Sequence, residues 1–365
     1  MKRVTNWFFC AILLTSPLRA EVKVDAGEIN GASFRIDIPA DWNRSLVMLC
    51  HGYQGPNVVR YDEKTPLAAW MPLFLQAGYA VARSGYAEAG AAIQPAALDT
   101  EMLRRYFVRR HGKPRKTFLM GFSMGGFIAT LLMETMPGSY DGMLAACTAP
   151  GASGQMYQRL FDLRSVFDYY FPSALPPPHH VPADFRSDPA GAAKLLALLQ
   201  AQPEKASAVR QYAQIRNDKD LAEAVMLVTM ILGEMRQRAG GNVFDNHDTL
   251  YSGTPDDDAV NAGVVRYTAD AAAVKYLAST VYWPTGRLTG PMLAVHTTYD
   301  PLIPPAFVNY YAPIAAAAGS RQNYAQRFVK GAGHCAFRPE EIWRAFTDLV
   351  DWGESGRRPS LSAAE

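Results

Sequence analysis

The chain has 365 residues, 49% hydrophobic and 19% charged, and its 36 Lys+Arg against 34 Asp+Glu leave a formal charge of +2. A chain this long and this apolar is neither a disordered segment nor a mini-domain that needs staples to fold. The near-zero charge lacks the electrostatic footprint of a nucleic-acid binder, so no nucleic-acid partner is expected.

At the N-terminus, Lys2 and Arg3 precede an apolar run from Trp7 to Leu14, Pro17 breaks that run, and Ala20 is a small residue suited to cleavage. This is the layout of a secretory signal over residues 1–20, and the run is too short for a permanent membrane span. Cys10 follows Trp7, Phe8 and Phe9, which makes a poor lipid-attachment site. No later segment reaches the roughly 18 uncharged apolar residues of a span, so no stable membrane insertion is expected after cleavage. The expected location is secreted or periplasmic.

Glu21 to Trp42 tends to alternate apolar and polar residues, most clearly over Ala32–Ile38 before Pro39, and predicts antiparallel edge strands. Ser45–Cys50 is a continuous apolar run, as a strand buried on both faces requires. Leu67–Ala77 has helical spacing, with Pro72 either starting or kinking the helix. A short strand is predicted at Tyr79–Arg83, a helix at Leu98–Arg110, a buried strand at Thr117–Gly121, a helix at Met124–Met136 and a strand at Met143–Cys147. Strands alternating with helices imply a parallel sheet with crossover helices. From Gly151 to about Gly290 the alternation stops and the chain reads as helical and loop-rich, with Leu221–Met235 apolar on nearly every side. Strands return at Met292–His296 and Gln326–Val329, and a helix at Glu340–Trp352. The expected organisation is a first core part at 21–150, a helical cap insertion at 151–290, a second core part at 291–355 and a polar tail at 356–365.

Gly121-Phe122-Ser123-Met124-Gly125 is a G-x-S-x-G pattern directly after a buried strand and before a helix. Such a serine sits on a sharp turn whose flanking positions must be small, and it serves as a nucleophile. A serine nucleophile needs a base, and the base an orienting acid; in this arrangement the chain order is Ser, Asp/Glu, His. Asp300 follows the Met292–His296 strand, and His334 follows the last strand in Gly331-Ala332-Gly333-His334. No carboxylate lies just after Met143–Cys147, and Asp256–Asp258 read as a solvated loop. Among the other histidines, His51 braces its loop, His296 is a packed, hydrogen-bonded group, and His111, His179 and His180 fall on the surface or in loops. His247, in Asp245-Asn246-His247-Asp248, reads as part of a loop network rather than a metal ligand. A CxxC or zinc-spaced Cys/His cluster is absent, so no metal is expected. Two backbone N–H groups, those of Tyr53 and Met124, are the expected oxyanion hole.

Through His51-Gly52, the Gly121–Gly125 elbow, Asp300 and Gly333-His334, the chain resembles an α/β-hydrolase. It looks closest to secreted serine esterases and to single-domain relatives of the prolyl-oligopeptidase group. The aromatic oxyanion residue and the Ser-Met-Gly-Gly elbow are also similar to those of polyester hydrolases and cutinases, which lack a large cap. The resemblance implies an eight-stranded, mostly parallel sheet with helices on both faces, and a Ser123–His334–Asp300 triad working without a cofactor. A carboxylic-ester hydrolase acting on a small-molecule ester is the first expectation, and a prolyl-oligopeptidase-like serine peptidase acting on small peptides is the second. Phe167–Phe171 and Tyr282-Trp283 in the insertion are candidates to line an acyl or aromatic pocket, or to pack cap against body. After signal removal Cys50, Cys147 and Cys335 remain, an odd number that allows at most one disulfide. Cys50 and Cys335 flank loops at the same sheet end, so either they pair or all three thiols are buried and inert.

Overall fold

The computed structural model describes residues 22–359. The expected signal at 1–20, Cys10 and the last six residues of the tail lie outside that range. The chain opens with an antiparallel hairpin of β1 (Val22–Ile29) and β2 (Ala32–Pro39). Asn30 and Gly31 close it, both at positive φ as a two-residue type I′ turn requires. β2 pairs antiparallel with β4 (Ala80–Ser84). From there the sheet is parallel through β3 (Ser45–Cys50), β5 (Lys116–Phe122), β6 (Gly142–Ala146), β7 (Met292–Tyr299) and β8 (Tyr324–Ala332), giving the order β1-β2-β4-β3-β5-β6-β7-β8.

The pleat decides the layers. Along β3, Leu46, Met48 and Cys50 face one side and Val47 and Leu49 the other, and both sets are buried, so the strand is apolar from Leu46 onward. The first side is covered by α2 (Ile93–His111) and α3 (Met124–Thr135). The second is covered by α1 (Met71–Gln76) and α11 (Pro339–Ser355), whose Phe74, Phe346, Leu349 and Trp352 fill the core. Two boundaries differ from the sequence reading. α1 begins with Pro72 in its first turn, leaving Leu67–Trp70 outside. α2 starts five residues early because Pro95 stands in its first turn, where a missing N–H costs nothing.

Between β6 and β7 the chain forms α4 (Ser153–Tyr170), α5 (Pro189–Ala201), α6 (Pro203–Ala213), α7 (Asp218–Ala239), α8 (Asp257–Gly263) and α9 (Ala271–Thr280). Side-chain caps set several of these starts: Asp188 accepts from Gly191 N, Asn217 from Asp220 N, and Asp256 from Ala259 N. The Asp256–Asp258 run is therefore a helix start and not the solvated loop its charge suggested. A short α10 (Tyr311–Ala317) lies between β7 and β8. Glu134 at the end of α3 binds this region to the sheet. Its carboxylate accepts from Tyr282 Oη, Tyr311 Oη, Thr285 N and Gly286 N at 2.5–2.8 Å.

Candidate active site

β5 delivers Ser123 on a turn between strand and helix. The serine has φ 54° and ψ −125°, a conformation that L-residues adopt only when their surroundings enforce it. Its N–H donates to Ala146 O on β6 at 3.0 Å. The turn is too tight for side chains: a Cβ on Gly121 would meet Gly125 O at 2.3 Å, and one on Gly125 would meet Cys50 O at 2.0 Å. The glycines of the pentapeptide are thus demanded by backbone approach, and they leave the Ser123 side chain free to meet the loops from other strand ends.

Ser123 Oγ–H donates to His334 Nε2 at 2.8 Å, and His334 Nδ1–H donates to Asp300 Oδ2 at 2.7 Å. Asp300, 2% exposed, is fixed through its other oxygen by Leu302 N at 2.8 Å and Ile303 N at 2.9 Å. The His334 loop is held by Gly333 N donating to Tyr299 O and by Thr297 Oγ1 donating to Gly333 O. The structure therefore brings the three residues, far apart in sequence, into one hydrogen-bonded chain. Tyr53 and Met124 both line the same cavity, and a Cβ on Gly52 would lie 3.1 Å from Ser123 Cβ, so the His51–Tyr53 turn runs against the serine. His51 itself is turned away: its Nδ1 bonds Gly52 O at 2.7 Å, its ring stacks on Tyr86, and burial lowers its pKa.

The cavity beside Ser123 measures about 120 Å³ and is mostly apolar. Its walls are Met156, Tyr157 and Leu160 of α4, Leu227 and Ile231 of α7, and Leu302 and Ile303 beside Asp300. These residues were missed in the sequence reading, although their i, i+4 spacing on two helices was visible. The aromatic clusters named instead lie elsewhere. Phe167 stacks on Phe171 inside the helical segment, Tyr282 bonds Glu134, and Trp283 packs on Gly154 and remains 57% exposed. Tyr53 Oη is buried among the described residues with no hydrogen-bond partner.

The cysteine pairing also differs. Cys147 and Cys335 form a disulfide with Cα atoms 5.1 Å apart, and Cys50 is a free buried thiol whose pKa burial pushes up to about 12. The backbone turn at Cys147 is the reason: strand alternation would put Cys147 with Met143 and Ala145 on the α2/α3 side, where Cys50 lies with Leu46 and Met48, but at φ 47° just past β6 it packs with Cys335 on the α1/α11 side. Three further histidines lie away from the serine. His111 is not a surface group: its Nε2 lies 2.7 Å from Asp25 Oδ2 and its side chain is 7% exposed. His179 stacks on Tyr267, and His247 sits in the Asp245 loop network, its N–H donating to Asp245 Oδ1. Among the described residues, the only cluster with metal-ligand spacing is Cys147, His334 and Cys335, whose two sulfurs are already bonded to each other.

A model of the Tannase-like family of unknown function (DUF6351) matches residues 29–247, more than half of the chain. The chain belongs to this family. No curated protein matches it. Solved structures with a similar course include Est1E from Butyrivibrio proteoclasticus, at 10% identity and TM-score 0.48, covering 91% of this chain and 99% of that one. A bacterial membrane phospholipase A is 12% identical with TM-score 0.49, covering 92% and 88%. A puromycin hydrolase is 12% identical with TM-score 0.46, covering 94% of this chain and 41% of that one. The chain thus spans about two fifths of the puromycin hydrolase, and 42% of an acylaminoacyl peptidase of similar course. With its mostly parallel eight-stranded sheet, its helices on both faces and its elbow after β5, this Tannase-like chain has the α/β-hydrolase fold.

Proposed function

We propose that this Tannase-like protein is a serine hydrolase that cleaves carboxylic esters of small molecules through an acyl-enzyme. The observation that carries the reading is the unbroken relay from Ser123 through His334 to Asp300, opening on a small apolar cavity. In this reading neutral His334 accepts the Ser123 proton as Oγ adds to the ester carbonyl. Asp300 holds the imidazole in the tautomer whose Nε2 is free to accept, and it stabilises the imidazolium that forms. The oxyanion lies between the N–H groups of Tyr53 and Met124, at the start of α3, where the helix dipole adds favourable field. His334 then protonates the leaving alcohol, water replaces it, and the same steps in reverse order release the acid.

The segment with α4 and α7 acts as a cap in this proposal. A cavity of about 120 Å³ suits a short or single-ring acyl group, not a polymer chain. The unpartnered Tyr53 phenol and the family's Tannase-like description favour an aromatic acid as that ring. Location outside the cytosol is part of the proposal. The N-terminal charge pattern supports it, as does a disulfide of the kind that persists in oxidising compartments. No helix among the described residues is long and apolar enough to cross a membrane. The test sets p-nitrophenyl esters against prolyl and aminoacyl p-nitroanilides. Ester turnover that vanishes in Ser123→Ala is expected, and anilide turnover well above ester turnover would replace the esterase reading with the peptidase one.

A further inference from the structure

We propose that His296 is a second imidazole on the orienting carboxylate, a positioning residue whose protonation in acid draws Asp300 away from His334. The inference rests on the triad reading above and adds a group to it. His296 lies in β7, four residues before Asp300, and is fully buried. Its Nδ1 stands 3.1 Å from Thr297 O, and because a carbonyl oxygen only accepts, this nitrogen carries a proton. In the neutral ring Nε2 then holds a lone pair, and it has no hydrogen-bond partner among the described residues. It lies 3.7 Å from Asp300 Oδ2, the same oxygen that receives His334 Nδ1–H at 2.7 Å. Two imidazoles therefore converge on one carboxylate oxygen, one bonded to it and one without the proton it would need.

One proton taken from solvent completes the second bond: Nε2–H of His296 then donates to Oδ2, and the buried carboxylate serves two cations. Burial lowers the His296 pKa, the Asp300 charge raises it by less, and an imidazolium at His334 lowers it further. Among the described residues, Asp300 and His334 are the charged groups that act on the ring; its register neighbour on β8 is Phe328, and Cys147, just past β6, is held in the disulfide. The coupling is reciprocal, so a proton on His296 disfavours the imidazolium that His334 must become during turnover. Near neutral pH, His296 is uncharged and leaves Oδ2 to His334. In acid its protonation removes activity beyond what protonation of His334 alone removes.

Two measurements test this. The first is the pH dependence of kcat/KM for p-nitrophenyl acetate. On the acid side the logarithmic slope is expected to pass from one to two in the parent and to stay at one in His296→Asn, whatever the height of its plateau. The Asn amide can still donate to Thr297 O but cannot take up a proton. The second needs no turnover: histidine ring NMR on the Ser123→Ala protein is expected to show two inflections in the His334 signal, and one once His296→Asn is added. A single inflection in the parent, or two that persist in the variant, overturns the proposal. If His296→Asn fails to fold, the parent's slope and NMR titration still decide. Failure of the triad reading looks different, because Ser123→Ala would then keep its turnover.

Discussion

Breaking the Cys147–Cys335 bond is expected to cost both stability and rate, by separable routes. The bond closes a loop with a sequence separation of 188 and fastens the residue after His334 to the end of β6. Chain-entropy loss for a loop of that length amounts to about 5 kcal/mol in the unfolded state, and measured bonds of this kind deliver roughly 2–5 kcal/mol. Against a typical domain stability of about 5–15 kcal/mol that is a large share. Cys147 and Cys335 also hold φ of 47° and 56°, so without the bond both have reason to relax. His334 moves with Cys335, and a displacement of about 1 Å in a reacting group costs up to about 10²-fold in rate. The assay is urea unfolding of the protein with Cys147→Ser and Cys335→Ser, beside the parent with and without reductant. Ester turnover is measured well below the unfolding transition. Thiol titration checks the premise: with residues 1–20 removed, one thiol reacts in the denatured, unreduced protein and three after reduction. If the double variant unfolds within ~0.5 kcal/mol of the parent, the entropic argument is wrong. If its kcat stays within twofold, the bond does not position His334.

Three further outcomes follow from the same geometry. Ser123→Ala, whose methyl fits the elbow, should fold like the parent and lose about 10⁴-fold or more in kcat; a variant that kept most of its turnover would dismiss the nucleophile. Asp300→Asn should lower kcat by about 10⁴-fold through a wrong imidazole tautomer, with stability measured alongside because Leu302 and Ile303 also donate to this residue. Glu234 on α7 is buried, with Oε2 accepting from Ala91 N and Oε1 3.2 Å from Arg238 Nε, and burial raises its pKa from 4.5 to about 7. The folded state therefore holds a proton that the unfolded state has released. The stabilisation is complete below 4.5 and lost as pH rises through 7, at most about 3 kcal/mol. Glu234→Gln should flatten the urea midpoint between pH 5 and 8, and an unchanged pH dependence would refute the assignment.

What the sequence disclosed and what it hid divide along a physical line. The buried strands were legible because parallel strands covered on both faces read as continuous apolar runs, as Leu46–Cys50 does. The elbow was legible because backbone crowding at Gly121 and Gly125 admits no side chain, which writes a local signature into five residues. Asp300 and His334 were legible through strand order, since each directly follows a recognisable strand. The disulfide was misread because proximity at one sheet end says nothing about which face a side chain takes. Cys50 and Cys147 both lie at strand ends beside the site, yet the pleat keeps Cys50 with Leu46 and Met48 while the positive-φ turn at Cys147 carries its side chain to the opposite layer.

The cavity walls were hidden for a different reason. α7 is buried almost all round, so its apolar pattern does not mark one face for the serine. Leu227 and Ile231 meet the cavity only because the helix docks as it does, while Met226 and Val225 of the same turns fill other space. α4 shows the same ambiguity, with Met156, Tyr157 and Leu160 toward Ser123 and Phe161 and Phe167 packed into the helical segment. In the proposed reading, chemistry is set by backbone geometry at strand ends, which leaves local marks. Selectivity in that reading is set by how two helices dock, and their i, i+4 apolar spacing does not reveal which face meets the serine. Substitutions that enlarge or fill the cavity are therefore expected to shift acyl preference while leaving the triad intact. Leu227→Ala should raise kcat/KM for longer acyl esters relative to acetate, and an unchanged chain-length profile in that variant would place the acyl group outside this cavity.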